Sequence, residues 1–152
     1  MTLDLHAELR GIVAALDAAG IPYALAGGLA VSIYAAPRAT EDVDLLIGRE
    51  QLLPAVERLA LLGFRRAGTP MSVAAGRLEI QRLIKIDGLD LVPVDLLVPN
   101  DPALATLLSD REGIVWEGGR LSIVSLAGLR TLKRLRGSAQ DQADLEALGP
   151  EA

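Results

Sequence analysis

The alternation of apolar and polar positions divides the chain into short, regular segments. Leu5, Leu9, Ile12, Val13 and Leu16 recur every three or four residues, which places them on one face of a helix. Gly20 and Pro22 end that run, so Asp4 to Ala19 is expected to be an amphipathic helix that packs and does no chemistry. Tyr23-Ala24-Leu25-Ala26 reads as a short buried strand, Gly27-Gly28 as a tight turn, and Leu29 to Ala35 as a helix stopped before Pro37. From Asp42 the period changes to two. Asp42, Asp44 and Leu46 alternate with Val43, Leu45 and Ile47, so an extended chain shows both carboxylates on one face and sends the apolar side chains into the core.

Helical spacing returns at Leu53, Val56, Leu59 and Ala60, closed by Gly63, with Phe64 to Arg66 as a short strand. Arg58, Arg65 and Arg66 belong to a solvated face. The loop Gly68-Thr69-Pro70 leads to a strand from Leu78 to Ile86, in which Leu78, Ile80, Ile84 and Ile86 alternate with Glu79, Gln81 and Lys85. Asp87-Gly88 is a hairpin-turn signal, and Leu89 to Val98 is the returning strand. Asp101-Pro102 starts a helix bearing Leu104, Leu107 and Leu108. A second hairpin joins Ile114–Trp116 to 121–124 through Gly118-Gly119, and Ser125 caps a helix that runs to about Leu135.

Two residues break this apolar pattern. Asp95 stands alone in Leu91-Val92-Pro93-Val94-Asp95-Leu96-Leu97-Val98, where burial without a partner would cost several kcal/mol, so it requires an arginine or a metal. Its rival, Asp90, is beside the turn and is expected to be exposed. Pro93 cannot donate to a ladder, which implies an edge or a bulge. Lys133 falls between Leu126 and Leu129 around its helix, inside the stripe that faces the protein. It either snorkels to water or reaches a phosphate.

The chain has 152 residues, 51% of them hydrophobic, enough for one core and too few for two ordinary domains. It has no cysteine, which excludes disulfides and thiolate metal sites and agrees with a reducing compartment. Its apolar runs fall short of the roughly 20 residues that a membrane span needs, and Asp4, His6 and Glu8 are unlike a signal peptide, so a cytoplasmic protein is expected. A net charge of -5 and 3% aromatic content argue against a general nucleic-acid binder. His6, the single histidine, is expected to face solvent. Cys-His catalysis is excluded, and histidine-rich metal clusters are absent. A chain this apolar has surface to bury in a homodimer.

Asp42 and Asp44, roughly 7 Å apart on one strand face, repel each other unless a cation sits between them or water solvates them. Magnesium suits such hard oxygen ligands and usually arrives with phosphates attached. A helix that begins after Gly27-Gly28 would turn free amides and its positive dipole end toward a phosphate. Arg38 is placed either to bind a triphosphate or to pair with one of the aspartates.

Gly27-Gly28, a helix and then Asp42-Val43-Asp44 resemble the signature of the nucleotidyltransferase superfamily built on the polymerase-beta type fold. The segment Pro37-Arg38-Ala39-Thr40-Glu41-Asp42-Val43-Asp44 is most similar to that of its small bacterial members, the abortive-infection toxin and minimal nucleotidyltransferases. The resemblance implies an α+β fold, a mixed β-sheet with helices packed on it, occupying residues 1–152 as one domain. It implies Mg²⁺ or Mn²⁺ on Asp42 and Asp44, with Asp95 as the third carboxylate, completing a second metal position and helping to deprotonate the acceptor hydroxyl, and ATP or another NTP as donor. Gly27, Gly28, Arg38 and Lys133 would bind the nucleotide. The acceptor would be a protein, tRNA or small-molecule hydroxyl. Family members carry lysine, Lys-Asp and a further Asp near the C-terminus, which Lys133, Asp141 and Asp144 resemble, although Gln140 stands where a basic residue is usual. On their own, Asp141 and Asp144 fit equally well as the cap and solvated face of a terminal helix. A second outcome compatible with the resemblance is a silent member that acts by binding a partner within a toxin-antitoxin pair.

Overall fold

The computed structural model of the chain describes residues 3–35, 37 and 40–150. In chain order the elements are α1 (Leu5–Ala18), β1 (Tyr23–Ala26), α2 (Gly27–Tyr34), β2 (Val43–Ile47), α3 (Leu52–Ala60), β3 (Arg65–Arg66) and β4 (Met71–Val73). Then follow β5 (Leu78–Asp87), β6 (Asp90–Pro99), α4 (Pro102–Ser109), β7 (Glu112–Trp116), β8 (Gly119–Ile123), α5 (Leu126–Arg136) and α6 (Ala139–Leu148). Among the described residues, no helix is long and apolar enough to cross a membrane.

The strands form one mixed sheet in the order β3-β5-β6-β2-β1-β8-β7, with β4 also paired to β5. The hairpins β5–β6 and β7–β8 are antiparallel, as is β1–β2, whereas β2–β6 and β1–β8 are parallel. The centre of the sheet is therefore β6, β2 and β1, and each is almost wholly buried. This explains why Val43, Leu45 and Ile47 occur together with Val92, Val94, Leu96 and Val98: all seven are buried in one core. Lys85 projects from the face of β5 opposite Arg82 and binds Glu8 of α1, at 2.9 and 3.0 Å.

Several expectations shift once the sheet assembles. Gly27 does not form a separate turn; α2 begins at Gly27 itself, directly from β1, with a φ of +66° there. Asp42 is just before β2 rather than within it. The first hairpin turns at Gly88-Leu89, with Asp87 opposite Asp90, one residue later than the Asp87-Gly88 signal suggests. Likewise Glu117-Gly118, not Gly118-Gly119, links β7 to β8, with Trp116 opposite Gly119. The short strand β4 occupies part of what reads as loop in the sequence. Pro93 is on an interior strand, not an edge. The parallel ladder with β2 begins only at Val43↔Val94, so Pro93 stands outside it and no donor is missed there.

The C-terminal helices are joined by polar clasps. Gly137, at φ +65°, ends α5 in the left-handed conformation that glycine adopts without strain, and Ser138 with Asp141 forms a capping box for α6. The Arg130 Nη2 of α5 donates to the carbonyls of Leu148, Gly149 and Pro150 at 3.1, 3.3 and 3.2 Å, anchoring the far end of α6. Arg130 is thus a buried cation held by backbone carbonyls.

Candidate active site

Parallel pairing of β2 with β6 sets Asp44 beside Asp95 in register. Residues level across a parallel ladder point to the same face, with strands roughly 4.8 Å apart, so these two carboxylates are neighbours on the sheet. Asp42 enters from the segment leading into β2. All three line one cavity of about 440 Å³, together with Gly28, Arg82 and Arg136 among others. Lys133, Ser138, Gln140 and Asp141 close it from α5, α6 and the link between them.

The start of α2 is shaped around Asp44. A Cβ placed on Gly27 would lie 2.6 Å from the Asp44 Cγ and closer still to its Oδ2. Only a bare backbone in a left-handed conformation lets the carboxylate rest against the first turn of a helix there. Gly28 follows it in the cavity wall.

Charge in this cavity is unevenly compensated. Burial, and then the nearby Asp95 carboxylate, push the Asp44 pKa up to about 6, with Arg136 and Lys133 opposing. Burial also raises Asp42, against the pull of Arg82. Arg82 is the main local counter-charge: its Nε and Nη2 donate to both oxygens of Asp95 at 2.8 and 2.9 Å, and Nη2 is 3.5 Å from Asp42 Oδ2. That fork holds the guanidinium more firmly protonated than usual. Among the described residues, Glu41, Asp42, Asp44, Asp95 and Asp141 outnumber Arg82, Lys133 and Arg136 on the walls, so that part of the cavity has room for added positive charge.

The donor set suits a hard divalent cation, since every acid is a carboxylate and no histidine or cysteine lines the cavity. Asp42 and Asp44 fit a cation shared with phosphate oxygens. Asp95 has both oxygens on Arg82, and among the described residues no three His, Cys, Asp or Glu side chains stand ready to hold an ion together.

No family model matches the chain, and no curated protein matches it in sequence. Solved structures do. The adenylyltransferase LnuA in its lincomycin-bound form superposes with a TM-score of 0.64 over 97% of this chain and 98% of its own, at 12% identity. A candidate nucleotidyltransferase from Thermotoga maritima, TM1012, gives 0.66 over 91% and 88%, at 16% identity. ANT(2")-Ia in complex with adenylyl-2"-tobramycin gives 0.63 over 92% and 84%, at 15% identity. The fold is that of the nucleotidyltransferases.

Within the nucleotidyltransferase fold, Asp42, Asp44, Asp95, Gly28 and Lys133 converge on one cavity, and Gly27 supports Asp44 from beneath. Arg38 lies outside the described residues. Lys133 does not snorkel. Its Nζ is 2.9 Å from Asp144 Oδ2 and 3.2 Å from Asp141 Oδ1, and all three residues are buried. Asp141 and Asp144 are accordingly inward-facing partners of Lys133, not a solvated helix face. Burial would raise Asp141, but hydrogen bonds from Ser138 and Lys133 outweigh it and hold its pKa below the ordinary value. Asp90 is away from the cavity, accepting from the Leu3 amide at 2.9 Å. His6 is exposed and pairs with Glu117 at 3.0 Å.

The residue that sequence reading missed is Arg82. Its signal was present, because it occupies the same phase as Leu78, Ile80, Ile84 and Ile86, a cation in the apolar half of an alternating strand. A turn placed one residue early pairs Asp95 with Ile80; the observed turn pairs it with Arg82.

Proposed function

We propose that the chain is a metal-dependent nucleotidyltransferase that moves a nucleoside monophosphate from an NTP to an acceptor hydroxyl with release of pyrophosphate. The observation that carries this reading is the convergence of Asp42, Asp44 and Asp95 in one cavity beside the glycine-built start of α2. Both named adenylyltransferase relatives are described with small antibiotic ligands, which favours ATP as donor and a small-molecule acceptor over a protein or tRNA. The described chain would act as one nucleotidyltransferase-like domain, in the cytoplasm, where NTP and magnesium are available.

Asp42 and Asp44 would hold Mg²⁺ or Mn²⁺, which when bound would neutralise triphosphate charge and polarise the α-phosphorus. The helix start at Gly27 and Gly28 would face a phosphate with free amides. Arg136 borders the same space from α5 as a cation for the β- and γ-phosphates, and Lys133, already paired with Asp141 and Asp144, would add only its field to that wall. Arg82 would leave Asp95 for a phosphate oxygen when nucleotide enters, exchanging one oxyanion fork for another. Asp95, released, would take the proton of the acceptor hydroxyl as its oxygen bonds to the α-phosphorus and the bond to the β-phosphate breaks.

The test is transfer of label from α-labelled ATP with Mg²⁺, alongside thermal shifts with each NTP, since a ligand that binds only the native state must raise the melting midpoint. Asp42→Asn and Asp44→Asn should abolish transfer and leave the protein folded. Absence of any nucleotide-dependent shift and of any transfer would leave the second reading, a silent nucleotidyltransferase fold acting as an interaction module in a toxin-antitoxin pair. One observation favours that alternative: the fork between Arg82 and Asp95 occupies the third carboxylate.

A further inference from the structure

A second cavity, of about 490 Å³, opens between α1, α2 and the end of β7. Leu5 and Leu9 of α1, Leu29 and Ile33 of α2, and Trp116 form its apolar walls, and Thr40 closes one side. Thr40 also lines the carboxylate cavity, and Gly28 and Leu29, adjacent in α2, face one cavity each. The two spaces therefore share a wall at Thr40 and along the first turn of α2.

Building on the transferase reading, we propose that this second cavity is the acceptor pocket, and that it takes an uncharged, mainly apolar small molecule whose hydroxyl passes Thr40 toward the carboxylates. In-line transfer needs the acceptor oxygen about 3–3.5 Å from the phosphorus, so the acceptor must occupy space continuous with the nucleotide site. A further hollow that borders that site, beneath Lys133 and Arg136, has a volume of about 10 Å³ and holds a water at most. The second cavity falls within the roughly 300–1,000 Å³ of small-molecule sites.

The lining selects the chemistry. Among the described residues, no acid, lysine or arginine lines the cavity; the polar side chains there are His6, Ser32 and Thr40. The charges at its rim are already satisfied, with Glu117 paired to both His6 and Arg10. Among the described residues, a polycationic acceptor would find no acid in this lining, and a phosphate-bearing RNA end would find no lysine or arginine. The Trp116 ring, tilted 57° to His6 with centroids 5.7 Å apart, offers an apolar surface instead.

Trp116 is the single tryptophan of the chain, and its ring borders both this cavity and a smaller hollow beside Asp17 and Arg120. Titrating 4-phenyl-1-butanol into the protein should change its emission saturably, and spermine should not compete with the alcohol. Ile33, 38% exposed, tolerates a charge without loss of fold, and Ile33→Asp should weaken phenylbutanol binding by about tenfold or more, because the carboxylate must be desolvated. Leu5→Asp, an acid at a helix start where it suits the dipole, is the second variant should the first not fold. With α-labelled ATP and Mg²⁺, label should then appear on phenylbutanol. A melting midpoint raised by ATP with Trp116 unmoved by the alcohol overturns the pocket and leaves nucleotide transfer standing. Unchanged alcohol affinity in both variants, displacement of the alcohol by spermine, or label appearing on protein or tRNA in place of the alcohol also overturns it. Alcohol binding without any effect of ATP removes the acceptor role together with the transferase reading.

Discussion

Two clusters of charge face one another across the cavity, and they are built on opposite principles. Lys133 lies buried between Asp141 and Asp144, and hydrogen bonds from Ser138 complete the Asp141 carboxylate, so each charge there has its partner within the fold. Among the described residues, Asp42 and Asp95 share one arginine, Asp44 is offset by Arg136 and Lys133, and burial still drives the pKa of Asp44 up to about 6. Both groups are costly to desolvate. One offsets that cost with internal ion pairs and locks α5 to α6; among the described residues the other leaves part of it open, the pattern expected of a site whose ligand supplies the missing charge.

The largest expected effect breaks the satisfied cluster. Lys133→Met leaves two carboxylates buried without their cation and should cost about 3–5 kcal/mol, lowering the melting midpoint by about 10 °C. A loss within a degree or two in thermal denaturation would mean that the pair is solvated and the contrast is false.

The unsatisfied cluster should respond in the opposite direction. With a folded pKa of about 6 against about 3.9 unfolded, Asp44 favours the folded state fully below about pH 4 and loses that contribution as pH rises through 6, a change of about 3 kcal/mol. Asp141 has a lowered pKa, so its contribution is present above about pH 3.9 and is lost as pH falls through its folded value. Asp44→Asn should therefore melt several degrees higher than the parent at pH 8 and equal to it at pH 4, while losing transfer. Melting curves across that range, with equal or lower stability of the variant at pH 8, would contradict an uncompensated Asp44.

Gly27→Ala tests whether the open cluster depends on its support. A left-handed φ costs an alanine about 1–2 kcal/mol, and the new methyl must displace the Asp44 carboxylate. The expected result is a modest loss of stability with transfer reduced out of proportion, read as a fall in kcat/KM at a temperature where the variant is fully folded.

How much of this was legible in the sequence follows from the range of each interaction. Local period and punctuation located α1, β1, β2 and the β5–β6 hairpin, because a strand of alternating Asp and Val, or a helix ending at Gly-x-Pro, carries its signal within a few residues. The pairing of Asp44 with Asp95 was legible as a resemblance, not as geometry; register across 51 positions is fixed by the whole sheet. A hairpin turn placed one residue early hid Arg82, since each residue of turn error moves the cross-strand partner by two. Lys133 was correctly assigned to the inward stripe, but its partners come from the next helix, which the Ser138–Asp141 capping box folds back onto α5. The second cavity lies between elements distant in the chain, and no local pattern announces it.

Arg82 gives the smallest effect and the sharpest decision, because among the described residues it is the group that touches both Asp42 and Asp95. Its side chain is 41% exposed, so solvent screens the guanidinium, and the glutamine amide can still donate to the buried Asp95 carboxylate, so Arg82→Gln should lower stability by only about 1 kcal/mol. Its effect on nucleotide distinguishes the two readings of the fold. If Arg82 exchanges Asp95 for a phosphate, the variant should need roughly tenfold more ATP for the same thermal shift, the loss of a charge-assisted fork. If instead Arg82 is a permanent lock on Asp95 in a silent protein, removing it should leave the response to ATP unchanged or create one where the parent had none. Thermal shifts over an ATP series at fixed Mg²⁺, for parent and variant together, separate these outcomes by sign.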